Sequence, residues 1–328
     1  MEVLYTKYNY HRLPRFQTAT SIVLDRGRQQ VIKRALTPQA IAHIARIRQD
    51  HLRFADLAVR GGFELPGLKE AGAGAVAYDF IEGASLDDLL FQAFQHEDRD
   101  RFWALLDEYV RRLRTGFKTV AHPPPEGQSE IKRVFGRSDF PWVPETPDAF
   151  VACAIIDLIF DNVIVAGERW VLVDNEWVFP GCVPVAYVIY RALFEFYELK
   201  WREFGVDRFI PFRDAAQHCG IDEKAAAVYR DMEDKFQAYV CGEQRLNFNL
   251  RYLKGVETIP HMQEVVARQN RTLHDQELEL QDLRVKAGTL AEIQRSYGYR
   301  MLNAVCRGID RILPPGSRCR RLRSISGR

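Results

Sequence analysis

Three oxygen-bearing side chains in the segment DLIFDNVIVAGERWVLVDNE, residues 157–176, have the types and order that a reaction at phosphate requires. Asp157 could act as a base, while Asn162 and Asp174 carry the oxygen ligands that Mg²⁺ prefers. Phosphoryl transfer needs such a base near the nucleophile and metal ions on the phosphates. Two short β-prone runs separated by Gly167-Glu168 predict a hairpin between these residues. Because Asp and Asn are also common in loops, a D-x4-N spacing alone is a weak indication.

The overall composition is that of a soluble globular protein with a substantial core. The chain has 328 residues, 47% of them hydrophobic, and a formal net charge of +2, which argues against nucleic acid as a partner of the whole molecule. Its six cysteines show neither C-x-x-C pairs nor histidines at zinc-ligand spacing, so neither a zinc site nor a disulfide framework is expected. Without a signal-peptide core or an apolar run of about 20 residues, the chain is expected to be cytoplasmic.

A lysine in a predicted N-terminal hairpin could meet phosphate. Two β-prone runs flank the turn Asp25-Arg26-Gly27-Arg28, and Lys33 lies inside the second run, VIKRAL. A charged residue there is either a solvated residue of a half-exposed strand or a cation held in a cleft. Thr37-Pro38 has the chemistry of a helix start, and a helical apolar pattern follows it. Beyond that helix, residues 63–68 and 75–81 are predicted to be two further strands.

The rest of the chain is predicted to be mainly helical. In FIEGASLDDLL, Glu82-Gly83 forms a pivot after the last strand, and Ser85 is the expected N-cap of a new helix. The polar, proline-rich stretch 122–147 is predicted to be irregular. Further helical patterns occupy residues 101–120, 187–204 and 223–239. The order is therefore a β-rich part, a pivot, and an α-rich part with one embedded hairpin.

In this order of elements the chain resembles the protein-kinase-like and aminoglycoside-phosphotransferase-like fold over roughly residues 5–255. The resemblance implies an α+β, bilobal fold with a β-rich N-lobe over 1–82 and an α-rich C-lobe over 83–260. VIKRAL resembles the strand that carries the phosphate-binding lysine, which gives that role to Lys33. ATP is the nucleotide that the resemblance implies. YDFIEGASL resembles the hinge beside the adenine, which gives nucleotide-binding roles to Phe80, Ile81 and Glu82.

The same resemblance assigns the catalytic and metal-binding residues. DLIFDN resembles the catalytic loop, which makes Asp157 the base and Asn162 a ligand of Mg²⁺. VDNE resembles the metal-binding segment, which makes Asp174 the other ligand. Four matching segments in the right order indicate this chemistry far more strongly than one.

The sequence departs from the family pattern in three places. No G-x-G-x-x-G loop precedes Lys33, where the chain reads RFQTATS. Ile155 and Ile159 stand where His and Lys are usual around the base. The helix after Lys33 lacks a central Glu, so Asp50 is the predicted acid partner of Lys33, with Asp56 as an alternative. These departures keep a catalytically inactive pseudokinase open as an alternative to an active enzyme.

A narrower resemblance concerns the acceptor. The runs KYNYHRLPRFQTATSIV, VIKRALTPQAIAHI and DNEWVFPGCVPVAYVIYRAL look like the kinase module of bacterial O-antigen chain-terminating kinase/methyltransferase proteins. The resemblance implies a glycan or lipid-linked glycan as acceptor, with glycosyltransferases as partners. No methyltransferase domain is evident in the sequence. A small-molecule phosphotransferase of the aminoglycoside type remains an alternative.

The C-terminal part predicts a helical extension. Apolar residues at heptad spacing within 262–295 favour a coiled coil or long helix over 261–296, which would make a homo-oligomer. A single amphipathic helix docked on the kinase lobe is the alternative. Residues 297–328 combine an amphipathic helix with a basic tail, suited to peripheral contact with anionic lipid at the inner face of the membrane. A solvated tail explains its arginines equally well.

Overall fold

Five strands near the N-terminus form one antiparallel sheet. In chain order they are β1 (Glu2–Tyr8), β2 (Thr18–Asp25), β3 (Arg28–Ala35), β4 (Leu68–Glu70) and β5 (Ala75–Asp79). Their order in the sheet is β1-β2-β3-β5-β4, and every neighbouring pair is antiparallel. The computed structural model describes residues 1–57, 62–242, 276, 280–281, 283–289, 291–293 and 295–312.

The predicted N-terminal hairpin is formed by β2 and β3. Arg26 and Gly27 make its turn with φ angles of 49° and 77°, a left-handed region that glycine adopts without steric cost. Lys33 on β3 lies opposite Thr20 of β2 and Val76 of β5, so it belongs to an internal strand. Its side chain is buried. Of the two interpretations of this lysine, the structure therefore favours the cation held in a cleft.

The first long helix follows the hairpin and packs on the sheet. Thr37 accepts a hydrogen bond from the Ala40 amide at 3.2 Å, which caps one 3₁₀ turn, Pro38–Ala40, before α1 (Ile41–Leu57) begins. Ile44 and Ile47 of α1 form a small buried cluster with side chains of β5. The predicted strand over 63–68 is wrong, because Glu64 there makes only an isolated bridge to Val171 and β4 begins at Leu68.

Short strands frame the segment that carries the three oxygen-bearing residues. The strands are β6 (Ala84–Ser85), β7 (Thr119–Val120), β8 (Phe150–Val151), β9 (Ala154–Ile155), β10 (Val163–Ala166), β11 (Arg169–Leu172), β12 (Val178–Phe179) and β13 (Val183–Pro184). They form the small sheets β11-β10-β6, β12-β9 and β13-β8-β7. Gly167 turns the β10–β11 hairpin with a φ of 66°, as its sequence predicts.

Helices make up most of the remainder as far as residue 241. They are α2 (Leu86–Gln95), α3 (Arg99–Thr115), α4 (Gln128–Phe135), α5 (Val185–Phe194), α6 (Val206–Phe209), α7 (Phe212–His218) and α8 (Glu223–Cys241), with a π-helical turn, Glu195–Lys200, directly after α5. A large aromatic and aliphatic core lies among them. The predicted α+β architecture, with a β-rich first part followed by a helical part, is confirmed.

Helix α4 lies inside the stretch that the sequence predicts to be irregular. Ile131, Val134 and Phe135 share one face of this helix and are buried. Phe135 stacks on Phe236 of α8 with ring centroids 5.9 Å apart. Proline and glycine on both sides obscure a helical pattern of only eight residues, so the packing face decides its structure.

The chain divides into two units, Met1–Val256 and Glu257–Arg328. In the second unit the described residues form α9 (Tyr297–Ile312), and residues 283–289 and 291–293 are also helical. Most of the residues predicted as a coiled coil, and the basic tail after residue 312, lie outside the described part of the chain. Among the described helices, none is long and apolar enough to cross a bilayer.

Candidate active site

The buried Lys33 brings the N-terminal sheet to the segment that follows the β10–β11 hairpin. Its Nζ donates to Oδ1 and Oδ2 of Asp174 at 2.8 and 2.7 Å, and to Oε2 of Glu176 at 2.9 Å. Burial opposes a charged lysine, but the two carboxylates outweigh it and raise the pKa of Lys33 above its usual value. Lys33 and Asp174, predicted to belong to one site, are therefore in direct contact.

Glu176 gathers three basic side chains from separate parts of the first unit. Besides Lys33, it accepts hydrogen bonds at Oε1 from Nη1 of Arg12 at 2.5 Å and from Nε2 of His43 at 2.7 Å. Arg12 belongs to the connection between β1 and β2, and His43 lies on α1. Burial alone would raise the pKa of Glu176, but Arg12, Lys33 and His43 hold it well below its usual value. The carboxylate is thus a buried anion with its charge compensated.

Asp157 lies in a buried position beside this cluster. Its Oδ2 accepts a hydrogen bond from the backbone N–H of Trp177 at 2.5 Å. Burial, followed by the negative charges of Asp174 and Glu176, raises the pKa of Asp157 to about 8, against a lowering effect of Arg191 and the Trp177 amide. An Asp with a pKa in this range can exchange a proton near neutral pH, which a general base requires.

Asn162 is fixed between Asp157 and the segment that carries Asp174. Its side-chain Nδ2 donates to the backbone carbonyl of Asp157 at 3.0 Å, and its backbone carbonyl accepts from the Val173 amide at 2.9 Å. Because the amide nitrogen is engaged, Oδ1 is the atom with which Asn162 could bind a metal. The structure therefore brings Asp157, Asn162, Asp174 and Lys33 to one place.

A buried ion pair between α5 and α8 supports the Asp157 loop. Arg191 of α5 donates through Nε to the Ile156 carbonyl at 3.0 Å, and its Nη1 pairs with Glu233 of α8. Both side chains are buried. Arg191 thereby holds the backbone immediately before Asp157, a role that its place in an apolar helix sequence does not reveal.

The predicted hinge residues Phe80, Ile81 and Glu82 connect β5 with β6. Gly83 follows them with a φ of 155°, and a Cβ on it would lie 2.7 Å from Ile164 Cγ2. Strand β6 pairs with β10, so this connection runs directly beside the hairpin that carries the site. The Ser85 hydroxyl accepts from the Asp88 amide at 3.0 Å, which confirms it as the cap of α2. Whether the three hinge residues bind adenine stays a prediction.

The structure corrects the predicted partnership of Asp50 with Lys33. Asp50 is buried, but its carboxylate accepts from Arg46 at 3.2 Å and from Arg53 at 3.1 Å, both on the same helix. Among the described side chains, the acids bonded to Lys33 are Asp174 and Glu176. Asp50 is the predicted partner because it is an acid on the helix after Lys33, but its position on α1 places its carboxylate beside arginines one turn away. The side chain of Asp56, the alternative, lies outside the described part.

The β1–β2 connection lies before Lys33, where the family pattern has a glycine-rich loop. It is anchored by Arg12 on Glu176 and by the Leu13 amide, which donates to the Val240 carbonyl at 2.9 Å. Phe16 packs edge-on against His43 and Trp177, with ring centroids 5.1 and 5.0 Å apart. In place of a glycine-rich loop, the chain therefore has a connection held by the Arg12 and Phe16 side chains and by the Leu13 backbone.

No family model and no curated protein matches the sequence. Among solved structures, the chain is similar to a thermostable mutant of an aminoglycoside phosphotransferase in its apo form, with 13% identity over 72% of this chain and 95% of that one and a TM-score of 0.36. It is also similar to the microcompartment-associated aminopropanol kinase (14% identity, 70% of this chain and 90% of that one, TM-score 0.31) and to a Plasmodium vivax ethanolamine kinase (13%, 71% and 72%, 0.29).

Proposed function

We propose that this protein is a phosphotransferase that uses ATP and Mg²⁺ and has a protein-kinase-like arrangement of its active site. The observation that carries the proposal is the contact of Lys33, on an internal strand of the N-terminal sheet, with Asp174. Asp157 and Asn162 lie together at the same end of the hairpin that precedes Asp174. A cation, a base and two oxygen ligands in this order serve phosphoryl transfer.

The donor set fits Mg²⁺ bound together with a nucleotide. Among the described residues, no group of three or more His, Cys, Asp or Glu could hold a metal by itself. Mg²⁺ in nucleotide sites usually has one or two carboxylates, with phosphate oxygens and waters completing its shell. Asp174, whose side chain is 34% exposed, and Oδ1 of Asn162 would supply the protein ligands. Bound there, the ion would neutralise the negative charge of the phosphates.

Each residue of the site has a proposed role in the transfer. Asp157 accepts the proton of the acceptor hydroxyl, since its raised pKa of about 8 makes its carboxylate a stronger base than an ordinary Asp. Lys33 neutralises the charge of the nucleotide phosphates. Phe80, Ile81 and Glu82 lie beside the adenine. Asp50, with both oxygens bound to arginines, has no part in the site.

The proposed acceptor is a sugar hydroxyl of a bacterial surface polysaccharide of the O-antigen type, or of its lipid-linked precursor. This finer proposal rests on the sequence segments that resemble the kinase module of O-antigen chain-terminating proteins. The same proposal includes a cytoplasmic location and glycosyltransferase partners. It also includes oligomerisation through residues 261–296 and peripheral membrane contact through residues 297–328.

A transfer assay with labelled ATP and a panel of acceptors tests the proposal. The panel should include lipid-linked glycans, free oligosaccharides and aminoglycosides, because a phosphotransferase with a small-molecule acceptor is the alternative enzyme. Replacing Asp174 with Ala should lower metal-dependent transfer at least about 100-fold without unfolding the protein. Asp139→Ala, a change at an exposed carboxylate, is the control and should behave as wild type. Wild-type turnover by the Asp174→Ala variant would contradict the proposal.

A catalytically inactive scaffold for polysaccharide assembly is the second candidate. It is favoured by one observation: both carboxylate oxygens of Asp174 are bonded to Lys33, so a metal ion must compete for them. Calorimetry with ADP and Mg²⁺ separates the candidates. Binding of ADP with a dissociation constant in the millimolar range or below supports the enzyme. The absence of binding at millimolar ADP supports the scaffold.

A further inference from the structure

We infer that Glu176 is the acid that positions Lys33 for the nucleotide phosphates, and that helix α1 acts on this lysine through His43 rather than through a carboxylate of its own. The inference deepens the proposed function and rests on it. Glu176 is a positioning residue, because it contacts the lysine rather than the reacting atoms.

The two acids bonded to Lys33 differ in their exposure to solvent. The Asp174 side chain is 34% exposed, whereas that of Glu176 is 2% exposed. A hydrated metal ion with its nucleotide can therefore approach Asp174 but not Glu176. When Asp174 binds the metal, Glu176 is the acid that keeps its contact with Lys33.

Glu176 is itself held in place by hydrogen bonds. Its Oε1 accepts from both Arg12 and His43, which leaves Oε2 directed at Lys33. The His43 ring is in turn fixed, since it lies 4.8 Å from the ring of Trp177. A carboxylate anchored at one oxygen and bonded to a lysine at the other has little freedom, so it can define the lysine position.

Among the described side chains of α1, none is an acid that belongs to this network. The buried carboxylate of α1, Asp50, is bonded to Arg46 and Arg53, while His43 of the same helix contacts Glu176. A movement of α1 would thus reach Lys33 through the His43–Glu176 hydrogen bond. The acid is contributed by the segment that carries Asp174, only two residues further along the chain.

The activity test uses Glu176→Gln, which keeps the shape of the side chain and removes its charge. Lys33 would then have Asp174 as its acidic partner and would compete with the metal for it. The Mg²⁺ concentration for half-maximal transfer should rise about 10-fold and kcat should fall about 10- to 100-fold. A merely structural role would lower the amount of folded enzyme but leave the Mg²⁺ dependence unchanged.

The matched control is Glu130→Gln, because Glu130 accepts a hydrogen bond from Arg46 of α1 at 3.0 Å outside the lysine network. It should leave the Mg²⁺ dependence at the wild-type value. The double variant Glu176→Gln with His43→Glu returns a carboxylate to the cluster and should recover part of the lost Mg²⁺ affinity. An unchanged Mg²⁺ dependence in folded Glu176→Gln protein would overturn the inference.

A second measurement does not depend on activity. Lys33 can be labelled with an amine-reactive reagent and quantified by mass spectrometry, with and without ADP and Mg²⁺. Lys33 should be labelled about tenfold faster in Glu176→Gln than in wild type, with the Glu130→Gln control unchanged. Equal labelling of Lys33 in wild type and Glu176→Gln would overturn the inference. If Glu176 protects Lys33 in a wild-type protein that neither binds ADP nor transfers phosphate, only the proposed function is refuted.

Discussion

Replacing Asp157 with Asn should make the protein without ligands more stable, by an amount that grows with pH. The Asp157 side chain is buried and its pKa is raised from 3.8 to about 8 by burial and by the nearby charges of Asp174 and Glu176. The folded protein therefore binds this proton more tightly than the unfolded chain. The stability contributed by the protonated group is fully present below pH 4 and is lost as the pH rises through 8.

The size of the effect follows from the shift. Each pKa unit corresponds to about 1.4 kcal/mol, so the stability of wild type relative to Asp157→Asn should fall by roughly 4 kcal/mol between pH 5 and pH 8. For a chain of this size 1 kcal/mol changes Tm by about 2–4 °C. The Tm advantage of the variant should therefore grow by roughly 10 °C across this interval. Asparagine can still accept the Trp177 N–H bond, so its neutral side chain avoids the cost without losing the contact.

Thermal unfolding followed by calorimetry or fluorescence, in EDTA and without nucleotide, gives the comparison. Asp139→Asn, a change at an exposed carboxylate, should follow the wild-type curve at every pH. Parallel curves for wild type and Asp157→Asn would refute the reasoning, because they would mean that Asp157 does not titrate differently in the folded and unfolded protein. The same variant should be inactive in transfer at every pH.

Two further predictions concern the support of the site. Arg191→Met should destabilise the protein by about 3–5 kcal/mol, because it leaves the buried Glu233 without its cation. A second substitution, Glu233→Gln, should restore part of this stability, and denaturant unfolding measures both variants. Gly83→Ala should cost about 1–3 kcal/mol and lower nucleotide affinity, because its φ of 155° and the Ile164 contact at 2.7 Å leave no room for a Cβ. Gly27→Ala, with a φ of 77° but no atom within 4 Å, should cost only about 1 kcal/mol and leave affinity unchanged; calorimetry with ADP distinguishes the two glycines.

The hairpins could be predicted from the sequence because their signals are local. Alternating apolar residues and a glycine at the turn are sufficient for β10–β11 and for β2–β3, and the Thr37 and Ser85 caps mark helix starts with equal clarity. These local elements place Lys33, Asp157, Asn162 and Asp174 in the right order. Their meeting in space follows from the order of the elements.

The partner of Lys33 could not be predicted in the same way. Glu176 lies 143 residues from Lys33, and no periodicity connects two residues at that separation. Residue type suggested Asp50 on α1, but arginines one turn away on the same helix bind it first. A weak signal was present, because Glu176 is a charged residue between the apolar strands β11 and β12, where burial of an acid requires a cation.

The hydrogen bond from Leu13 to Val240 has a consequence for synthesis of the chain on the ribosome. Strands β1 and β2 are made first and pair locally, yet the connection between them reaches its final contacts only with Glu176 and with the end of α8. At about 5–20 residues per second, Val240 is added roughly 10–50 s after Leu13. Glu176 is added before Val240, so the nascent N-terminal sheet first lacks the buried acid of Lys33 and afterwards lacks only the contact of its β1–β2 connection with the end of α8.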